Sequence, residues 1–260
     1  MKKFLLSLLT IFLLSLTTAC TMNKQPNTLM EKIIKNDKIV VGVKFDAKPF
    51  GFKDKNGTLQ GYDIDLAKKI AKHILGDENK IEFVQVSPSN RILTLTSGKV
   101  DMVIATMSIT KQRQQVVSFS TPYYVAGQAL LTPTNSDIQG LTDLRDKKVI
   151  VVLGTTAERN IKLLVPSSII KGYKTDIEAF EALKAGKGDA LINDDTILAG
   201  LISNDSSMRI LSKRYTQEPY AIAFRQDEES QSLKSNVNHI LEHLQISGEL
   251  NRLKNKWIDF

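Results

Sequence analysis

The sequence predicts an α/β fold of two similar lobes, each with a mostly parallel sheet flanked by helices. Short β-branched runs alternate with amphipathic helical segments, and the connections between them are short. This alternation is typical of parallel sheets that are covered by helices. One pattern also occurs twice, because segments 95–104 and 183–192 each contain a helix end, a Gly-Lys-x-Asp turn and an apolar strand. The two copies lie too far apart for a solenoid and therefore indicate two lobes of the same kind.

The elements of the first half follow from local patterns. Residues 39–43 form a β-branched run, which predicts a buried strand. Segment 62–75 places its apolar side chains on one helical face and is followed by glycine, which predicts a helix and its end. Segment 81–86 alternates as a strand does, and the polar residues after it can cap a helix that runs to Ser97. Segment 102–105 predicts a further strand.

The second half repeats this alternation. Segment 149–152 predicts a strand, and 157–164 predicts a helix behind it. A longer helix is predicted over 228–246 from a stripe of leucine, isoleucine and valine. His239 and His243 lie beside that stripe, but no third ligand accompanies them, so we expect no metal and no other cofactor.

Composition excludes several classes of protein. The chain has 260 residues, of which 42% are hydrophobic and 24% charged, as in folded proteins and unlike disordered ones. The formal net charge is +7, yet no run of lysine or arginine exceeds two residues and acidic residues lie between them. We therefore expect no nucleic-acid partner. A single cysteine excludes an internal disulfide and a cysteine-built zinc site.

The first residues predict export from the cytoplasm. Two lysines precede a stretch, 4–16, of apolar and small side chains that is too short to span a bilayer and is typical of a signal peptide. Small residues then lead to Cys20, which resembles the lipobox of bacterial lipoproteins. We predict a signal peptide over 1–19, lipidation of Cys20 and a flexible tether over 20–29, which would anchor the protein to the outer face of the cell membrane. The alternative is an ordinary signal peptide with an incidental cysteine.

The candidate binding residues follow the ends of the predicted strands, where ligands bind in such sheets. Thr106, Ser108 and Arg113 come after the first repeat strand. Hydroxyl groups and a planar guanidinium are suited to a carboxylate. The alternative is that Thr110 caps a helix and Arg113 is solvated.

Two further segments carry polar residues at strand ends. Asp194 follows the second repeat strand, where its carboxylate could bind an ammonium group or cap a helix. Thr155 lies at the start of a predicted helix, whose N-terminus is suited to an anion. Asp63 and Asp65 lie near another helix start and are interpreted as caps.

An ordered set of motifs resembles the polar amino-acid-binding proteins of bacterial ABC importers. The resemblance extends from about Lys38 to Trp257, nearly the whole chain beyond the signal peptide. The stretches that carry it are GYDIDL at 61–66, SGKVD at 97–101, SIT-x-x-R at 108–113, FS-x-PYY at 119–124, DL at 143–144, GTT at 154–156 and KW at 256–257.

The resemblance implies a two-lobe, type II periplasmic-binding-protein-like clamp. Lobe 1 would comprise 30–122 and 224–260, lobe 2 would comprise 128–217, and hinge strands 123–127 and 218–223 would join them. It also implies a monomeric, non-enzymatic protein that delivers an amino acid to membrane permease subunits. Alternatives are a dehydratase on the same scaffold and a ligand-sensing module.

The resemblance also implies roles for single residues. In the family, the residue that matches Arg113 binds the ligand α-carboxylate, with help at Ser108 and Thr155. The residue that matches Asp194 binds the α-ammonium group, together with the backbone carbonyl at Thr106.

The choice of amino acid depends on the other end of the predicted pocket. The residues around Lys44 and Arg91 resemble those of the aspartate/glutamate-binding subgroup, which uses both cations for the distal carboxylate, whereas the family's glutamine binders carry an acidic residue at the position of Lys44. Three cations against Asp194 give a formal charge of +2 at the site, which favours an acidic ligand. We therefore predict glutamate or aspartate. The alternatives are glutamine or a broader range of polar amino acids, with Lys44 and Arg91 solvated at the surface.

Overall fold

Two five-stranded sheets organise the chain in the computed structural model, which describes residues 28–203 and 205–258. The helices of this part are α1 (Leu29–Asn36), α2 (Tyr62–Leu75), α3 (Arg91–Thr96), α4 (Thr156–Leu164), α5 (Asp176–Lys184), α6 (Asp195–Leu201), α7 (Glu228–Ile246) and α8 (Glu249–Trp257). Its strands are β1 (Ile39–Val43), β2 (Asp46–Ala47), β3 (Gly51–Lys53), β4 (Leu59–Gln60), β5 (Ile81–Gln85), β6 (Met102–Val103), β7 (Val117–Phe119), β8 (Tyr124–Ala126), β9 (Gln128–Pro133), β10 (Lys148–Val152), β11 (Ile169–Tyr173), β12 (Ala190–Asp194), β13 (Met208–Ile210), β14 (Glu218–Tyr220) and β15 (Ala223–Arg225).

The first sheet has the strand order β5-β1-β6-β15-β7. Strands β5, β1 and β6 run parallel, and β15 runs antiparallel to both β6 and β7. Helices α1, α2, α7 and α8 contribute to a single apolar core with β1, which includes Ile33, Val41, Ile70 and Leu241. Strand β15 comes from late in the sequence, so this lobe is built from two separate stretches of the chain.

The second sheet has the order β11-β10-β12-β9-β13. Strand β10 is parallel to β11 and β12, whereas β9 is antiparallel to β12 and β13. Each sheet therefore contains parallel and antiparallel pairs in equal measure, and the prediction of mostly parallel sheets is corrected to mixed sheets. The reason is connectivity, because β9 and β15 enter their sheets from the other lobe and no covering helix precedes them.

Two short strands connect the lobes. Strand β8 lies between β7 of the first sheet and β9 of the second, and β14 lies between β13 and β15 on the return path. The two strands pair with each other antiparallel, with Glu218 opposite Ala126. Phe50 packs against this pair, with its ring centroid 5.2 Å from that of Tyr124 and 5.3 Å from that of Tyr220. The predicted hinge segments 123–127 and 218–223 contain these strands.

Local elements agree with the sequence patterns to different degrees. The predicted helices over 62–75 and 228–246 form with the predicted bounds, and Gly76 ends the first in a left-handed conformation. The helix expected to run to Ser97 ends at Thr96, and the strand expected over 102–105 comprises only Met102–Val103. Apolar periodicity determines long helices well, whereas short strands depend on their neighbours.

The start of the described chain corrects one predicted boundary. Thr28 caps α1 through a hydrogen bond from Glu31 N to its hydroxyl, and Leu29 is buried in the first core. These two residues were predicted to belong to the tether. The predicted signal peptide 1–19, Cys20 and the rest of the tether lie outside the described residues. Within the part of the chain that is described, no helix combines the length and the apolar content that a membrane crossing requires.

Candidate functional site

All seven residues that the sequence predicts for ligand binding line one cavity between the lobes. They are Lys44, Arg91, Thr106, Ser108, Arg113, Thr155 and Asp194. The residues come together because most of them follow the carboxyl ends of parallel strands, namely β1, β6, β10 and β12. These ends lie at one edge of each sheet, and the two edges face each other. The remaining lining residues are Pro88, Thr156, Asp176, Asn193 and Ile197.

Arg113 contacts both lobes. Its Nη1 donates to the Ser108 carbonyl at 2.7 Å, and its Nη2 donates across the cleft to the Gly154 carbonyl at 3.1 Å. The backbone N–H of Arg113 donates to the Thr110 hydroxyl at 3.1 Å, but the short 3-10 turn that begins at Arg113 has Gln112 as its N-cap residue and no side-chain cap. Burial lowers the pKa of Arg113, while the carboxylate of Glu218 raises it. The guanidinium lies at the cavity and is not the solvated group of the alternative interpretation.

Thr106 has an unusual backbone conformation for a residue with a side chain, with φ of 46°. Its N–H donates to Asp63 Oδ2 at 3.2 Å. Asp63 is fully buried at the start of α2 and also accepts from the Tyr123 hydroxyl at 2.9 Å. Burial raises the pKa of Asp63 to about 7. Asp63 thus supports the conformation of Thr106. The interpretation of Asp63 and Asp65 as caps is wrong, because Gly61 is the N-cap residue of α2 and no side chain caps this helix.

Thr155 is the N-cap residue of α4. Its hydroxyl accepts from Glu158 N at 3.2 Å and donates to the Val152 carbonyl at 2.7 Å. The hydroxyl therefore already has both kinds of partner within the protein. A helix N-terminus leaves its first backbone N–H groups without intrahelical acceptors, so α4 presents donors to an anion in the cavity.

A buried carboxylate of the connecting strands holds the start of α4. Glu218 of β14 accepts from the Thr156 hydroxyl at 2.8 Å and from Gln128 Nε2 at 3.0 Å. Because Glu218 is only 4% exposed, these bonds are shielded from water. They fix the first turn of α4 to the strand pair that joins the lobes.

Asp194 is the residue before α6, yet its side chain makes no capping hydrogen bond. Its Oδ2 accepts instead from the hydroxyl of Tyr220. Burial, followed by repulsion from Glu218, raises the pKa of Asp194 to about 7, although the Tyr220 hydrogen bond opposes this. Of the two predicted alternatives, capping does not occur, and the carboxylate faces the cavity.

Lys44 is 1% exposed and forms an ion pair across the cleft with Asp176, which is also 1% exposed. Its Nζ lies 4.0 Å from Asp46 Oδ1 as well. Burial acts to lower the pKa of Lys44, but the carboxylates of Asp176 and Asp46 outweigh it and the pKa is raised. The prediction of an excess charge of +2 counted neither carboxylate and is therefore wrong.

Asp176 also connects several elements at this end of the cavity. It is the first residue of α5, and its N–H donates to Asp46 Oδ2 at 3.0 Å. Its Oδ1 accepts from Asn193 Nδ2 at 2.6 Å. Sequence analysis missed Asp176, because an aspartate that follows threonine at a helix start is typical of capping.

Arg91 is 2% exposed, so neither Arg91 nor Lys44 is the solvated surface residue of the alternative interpretation. Its Nη1 donates to the Ala105 carbonyl at 2.6 Å and more weakly to that of Thr106 at 3.4 Å. Within the described chain its Nε has no hydrogen-bond partner. Burial, and then repulsion from Arg113, lowers its pKa to about 9. Part of the guanidinium is therefore bound to the backbone at the end of β6.

The family model described as "Bacterial extracellular solute-binding proteins, family 3" matches residues 39–260. The ABC transporter glutamine-binding protein GlnH of Bacillus subtilis is 38% identical over 99% of this chain and 98% of its own length. A glutamine-binding protein of Geobacillus stearothermophilus is 44% identical over 75% of each chain. The crystal structure of a cysteine-binding protein from Campylobacter jejuni superposes with a TM-score of 0.85 and 32% identity, over 89% of this chain and 93% of that one.

Proposed function

Since the chain belongs to the bacterial extracellular solute-binding proteins, family 3, and binds a free amino acid for an ABC importer, we propose that this amino acid is glutamine. It is a binding protein with the type II two-lobe fold and not an enzyme. Two relatives with 38% and 44% identity are named for glutamine, which favours this ligand over the acidic amino acids suggested by the subgroup resemblance.

The charge balance of the cavity is the observation that carries the proposal. The lining cations Lys44, Arg91 and Arg113 are matched by the lining carboxylates Asp176 and Asp194. Two further carboxylates lie behind the lining, Asp46 beside Lys44, and Glu218, whose charge opposes the lowering of the Arg113 pKa by burial. A zwitterion with an amide side chain adds no net charge to this set. Glutamate would add one negative charge, and an uncompensated buried charge costs several kcal/mol.

The proposed orientation follows from the donors and acceptors around the cavity. The α-carboxylate would contact Arg113, Ser108 and the N-terminus of α4, and the α-ammonium group would contact Asp194 and the carbonyl of Thr106. The side-chain amide would then face Asp176 and Asn193, which offer an acceptor and a donor. Because these groups belong to both lobes, ligand binding would favour the closed arrangement over an open one.

Thermal unfolding and calorimetry with all common amino acids test the proposal, after bound ligand has been removed by unfolding and refolding. A ligand at 100 times its Kd stabilises a protein by about 2.7 kcal/mol. We expect glutamine to give the largest shift and the tightest binding. A larger response to glutamate, aspartate or an amino acid of another class would refute glutamine as the ligand. Arg113→Ala should abolish the response, whereas Arg252→Ala in α8, which lies outside the cavity lining, should leave it unchanged.

We further propose that lipidated Cys20 anchors the protein to the outer face of the cell membrane. A mature chain that begins at a diacylated cysteine would be held there by its acyl chains. Cys20→Ser should release the protein into the medium and leave the N-terminal mass without lipid. If the wild-type chain is itself secreted without lipid, the signal peptide is of the ordinary kind.

A further inference from the structure

We infer that Asp176 is the specificity-determining residue that makes this cavity prefer an amide side chain to a carboxylate. The inference deepens the proposed function and rests on it. Asp176 lies in the cavity wall and bonds two other lining residues, Lys44 and Asn193. It is the partner that cancels the charge of the one lysine in that wall.

The geometry leaves Lys44 little capacity for a ligand anion. Its ammonium group is paired with Asp176, and Asp46 Oδ1 lies 4.0 Å away on the other side. Both residues of the pair are 1% exposed, so water contributes little to screening either charge. An incoming carboxylate would have to displace Asp176 or share the lysine with two other carboxylates. Like charges at such separations repel strongly in a buried site.

The other contacts of Asp176 hold it in this position. Asn193 Nδ2 donates to Asp176 Oδ1 at 2.6 Å, and the Asp176 N–H donates to Asp46 at 3.0 Å. Asn193 thus holds one carboxylate oxygen of Asp176, and Asp46 of the other lobe holds its backbone, so both parts of the residue are restrained. The Asp176 carboxylate can still accept a hydrogen bond from the N–H of a ligand amide. The side-chain amide of Asn193 lies beside it and can donate to the oxygen of that ligand amide.

Removing only the charge of Asp176 should therefore shift the preference of the cavity from glutamine towards glutamate. Asp176→Asn keeps the shape of the side chain, but Lys44 is then left with Asp46 alone. A ligand carboxylate can take the place of the lost one, whereas an amide cannot. We expect the ratio of the glutamate Kd to the glutamine Kd to fall by at least about tenfold, which corresponds to 1.4 kcal/mol.

The experiment measures both constants by calorimetry for five proteins. They are the wild type, Asp176→Asn, Asp176→Asn combined with Lys44→Met, Asp46→Asn and the control Asp65→Asn. The combined variant removes both charges of the pair, so its preference should return towards glutamine, which a merely structural role for Asp176 would not produce. Asp65 bonds Lys256 and Trp257 and lies outside the cavity lining, so its variant should keep the wild-type ratio.

The outcomes separate this inference from the proposed function. Suppose that the wild type prefers glutamine and that Asp176→Asn has a ratio of the glutamate Kd to the glutamine Kd within twofold of the wild-type value. This result overturns the inference but leaves the proposed function intact. A wild type that prefers glutamate overturns both. A wild type that binds another neutral amino acid overturns glutamine as the ligand, and the inference then stands if Asp176→Asn shifts binding towards acidic ligands and falls if it does not. If Asp176→Asn does not fold, Asp46→Asn must shift the ratio in the same direction by a smaller factor, and an unchanged ratio overturns the inference.

Discussion

Among the residues of the site, Asp194 carries a carboxyl group whose protonation depends on what lies beside it. Burial and the carboxylates of Glu218, Asp176 and Asp195 raise its pKa to about 7, and the hydroxyl of Tyr220 opposes them. In the proposed function the ligand ammonium group lies against this carboxylate. A neighbouring cation favours the ionised form and lowers the pKa again. Amino-acid binding and proton release should therefore be linked.

This linkage predicts that affinity weakens as the pH falls below about 7. Below that pH the free protein holds a proton on Asp194 that must leave before the ammonium group can pair with the carboxylate, which costs up to tenfold in affinity per pH unit. Calorimetry at pH 5.5, 6.5 and 7.5, in buffers of different ionisation enthalpy, measures both the affinity and the released proton. Equal affinity at pH 5.5 and 7.5 would show that Asp194 is already ionised in the free protein.

Asp63 predicts a pH dependence of stability rather than of binding. Its pKa rises from 3.8 to about 7 on burial, so between these values the folded chain holds a proton that the unfolded chain lacks. The free energy of unfolding should thus decrease with rising pH from about 4 to 7, by at most about 1.4 kcal/mol per pH unit for this group, and level off above. Urea unfolding at pH 5.5 and 7.5 measures the difference. Asp63→Asn should reduce the slope of the free energy of unfolding against pH. An unchanged slope would mean that other groups cause the pH dependence.

At the scale of elements, the N-termini of three helices lie at the cavity. Helices α4, α5 and α6 all begin at or next to lining residues, namely Thr155 and Thr156, Asp176, and Asp194. Each helix follows a strand of the second sheet, so its positive end points at the opening between the lobes. At α4 the lining residue Thr155 is also the capping residue, so this helix start influences stability and binding together.

The substitution Thr155→Ala distinguishes the effect of this cap on stability from its effect on amino-acid binding. The substitution removes the hydroxyl that accepts from Glu158 N, which should lower the free energy of unfolding by about 1 kcal/mol. Since this hydroxyl already has two partners in the protein, we expect only a few-fold loss of amino-acid affinity through a loosened first turn of α4. Thr155→Ser should restore stability. A loss of affinity above about a hundredfold would instead mean that the hydroxyl itself binds the ligand.

Sequence patterns predict elements and lining residues better than they predict charge balance. The helix over 62–75 could be predicted because its signals, apolar period and final glycine, are local. The site residues Thr106 and Thr155 could be located because ligands lie at strand ends in such folds. The pairing of Lys44 with Asp176 could not be predicted, because the two residues lie 132 positions apart. Nothing in the local sequence distinguishes Asp176 from an ordinary aspartate at a helix start. The missed pair explains the count of +2 at the site, which supported the acidic ligand beside the subgroup resemblance around Lys44 and Arg91.

At the scale of the whole molecule, the lobes touch at backbone as well as at side chains. Gly200 of α6 lies against the carbonyl group of Lys48 from the other lobe, and the Lys48 Nζ donates to the Ser203 hydroxyl at 2.9 Å. On the far side of the cleft, a Cβ at Gly154 would lie 2.8 Å from the Pro88 carbonyl. Glycine at these positions permits the close approach of the lobes.

Gly200→Ala should therefore weaken the binding of every amino acid by a similar factor, at least about tenfold. The added methyl group would overlap the Lys48 carbonyl only when the lobes are together, while within α6 alanine is about 1 kcal/mol more favourable than glycine. Calorimetry measures the affinities, and small-angle scattering with and without glutamine measures compaction. Gly140→Ala, whose new Cβ would meet only the Tyr215 hydroxyl at 3.8 Å, is the control. Wild-type affinity in Gly200→Ala would mean that this contact is not part of closure.

The position of β15 has a consequence for how the molecule is made. This strand lies between β6 and β7 in its sheet, although more than a hundred residues separate it from either of them. As the chain emerges from the ribosome or the export channel, the second lobe has all its strands before the first lobe can receive its missing one. Long-range pairing of this kind is slow to form. The first lobe should therefore be the later of the two to acquire protection in pulse-labelled hydrogen exchange during refolding.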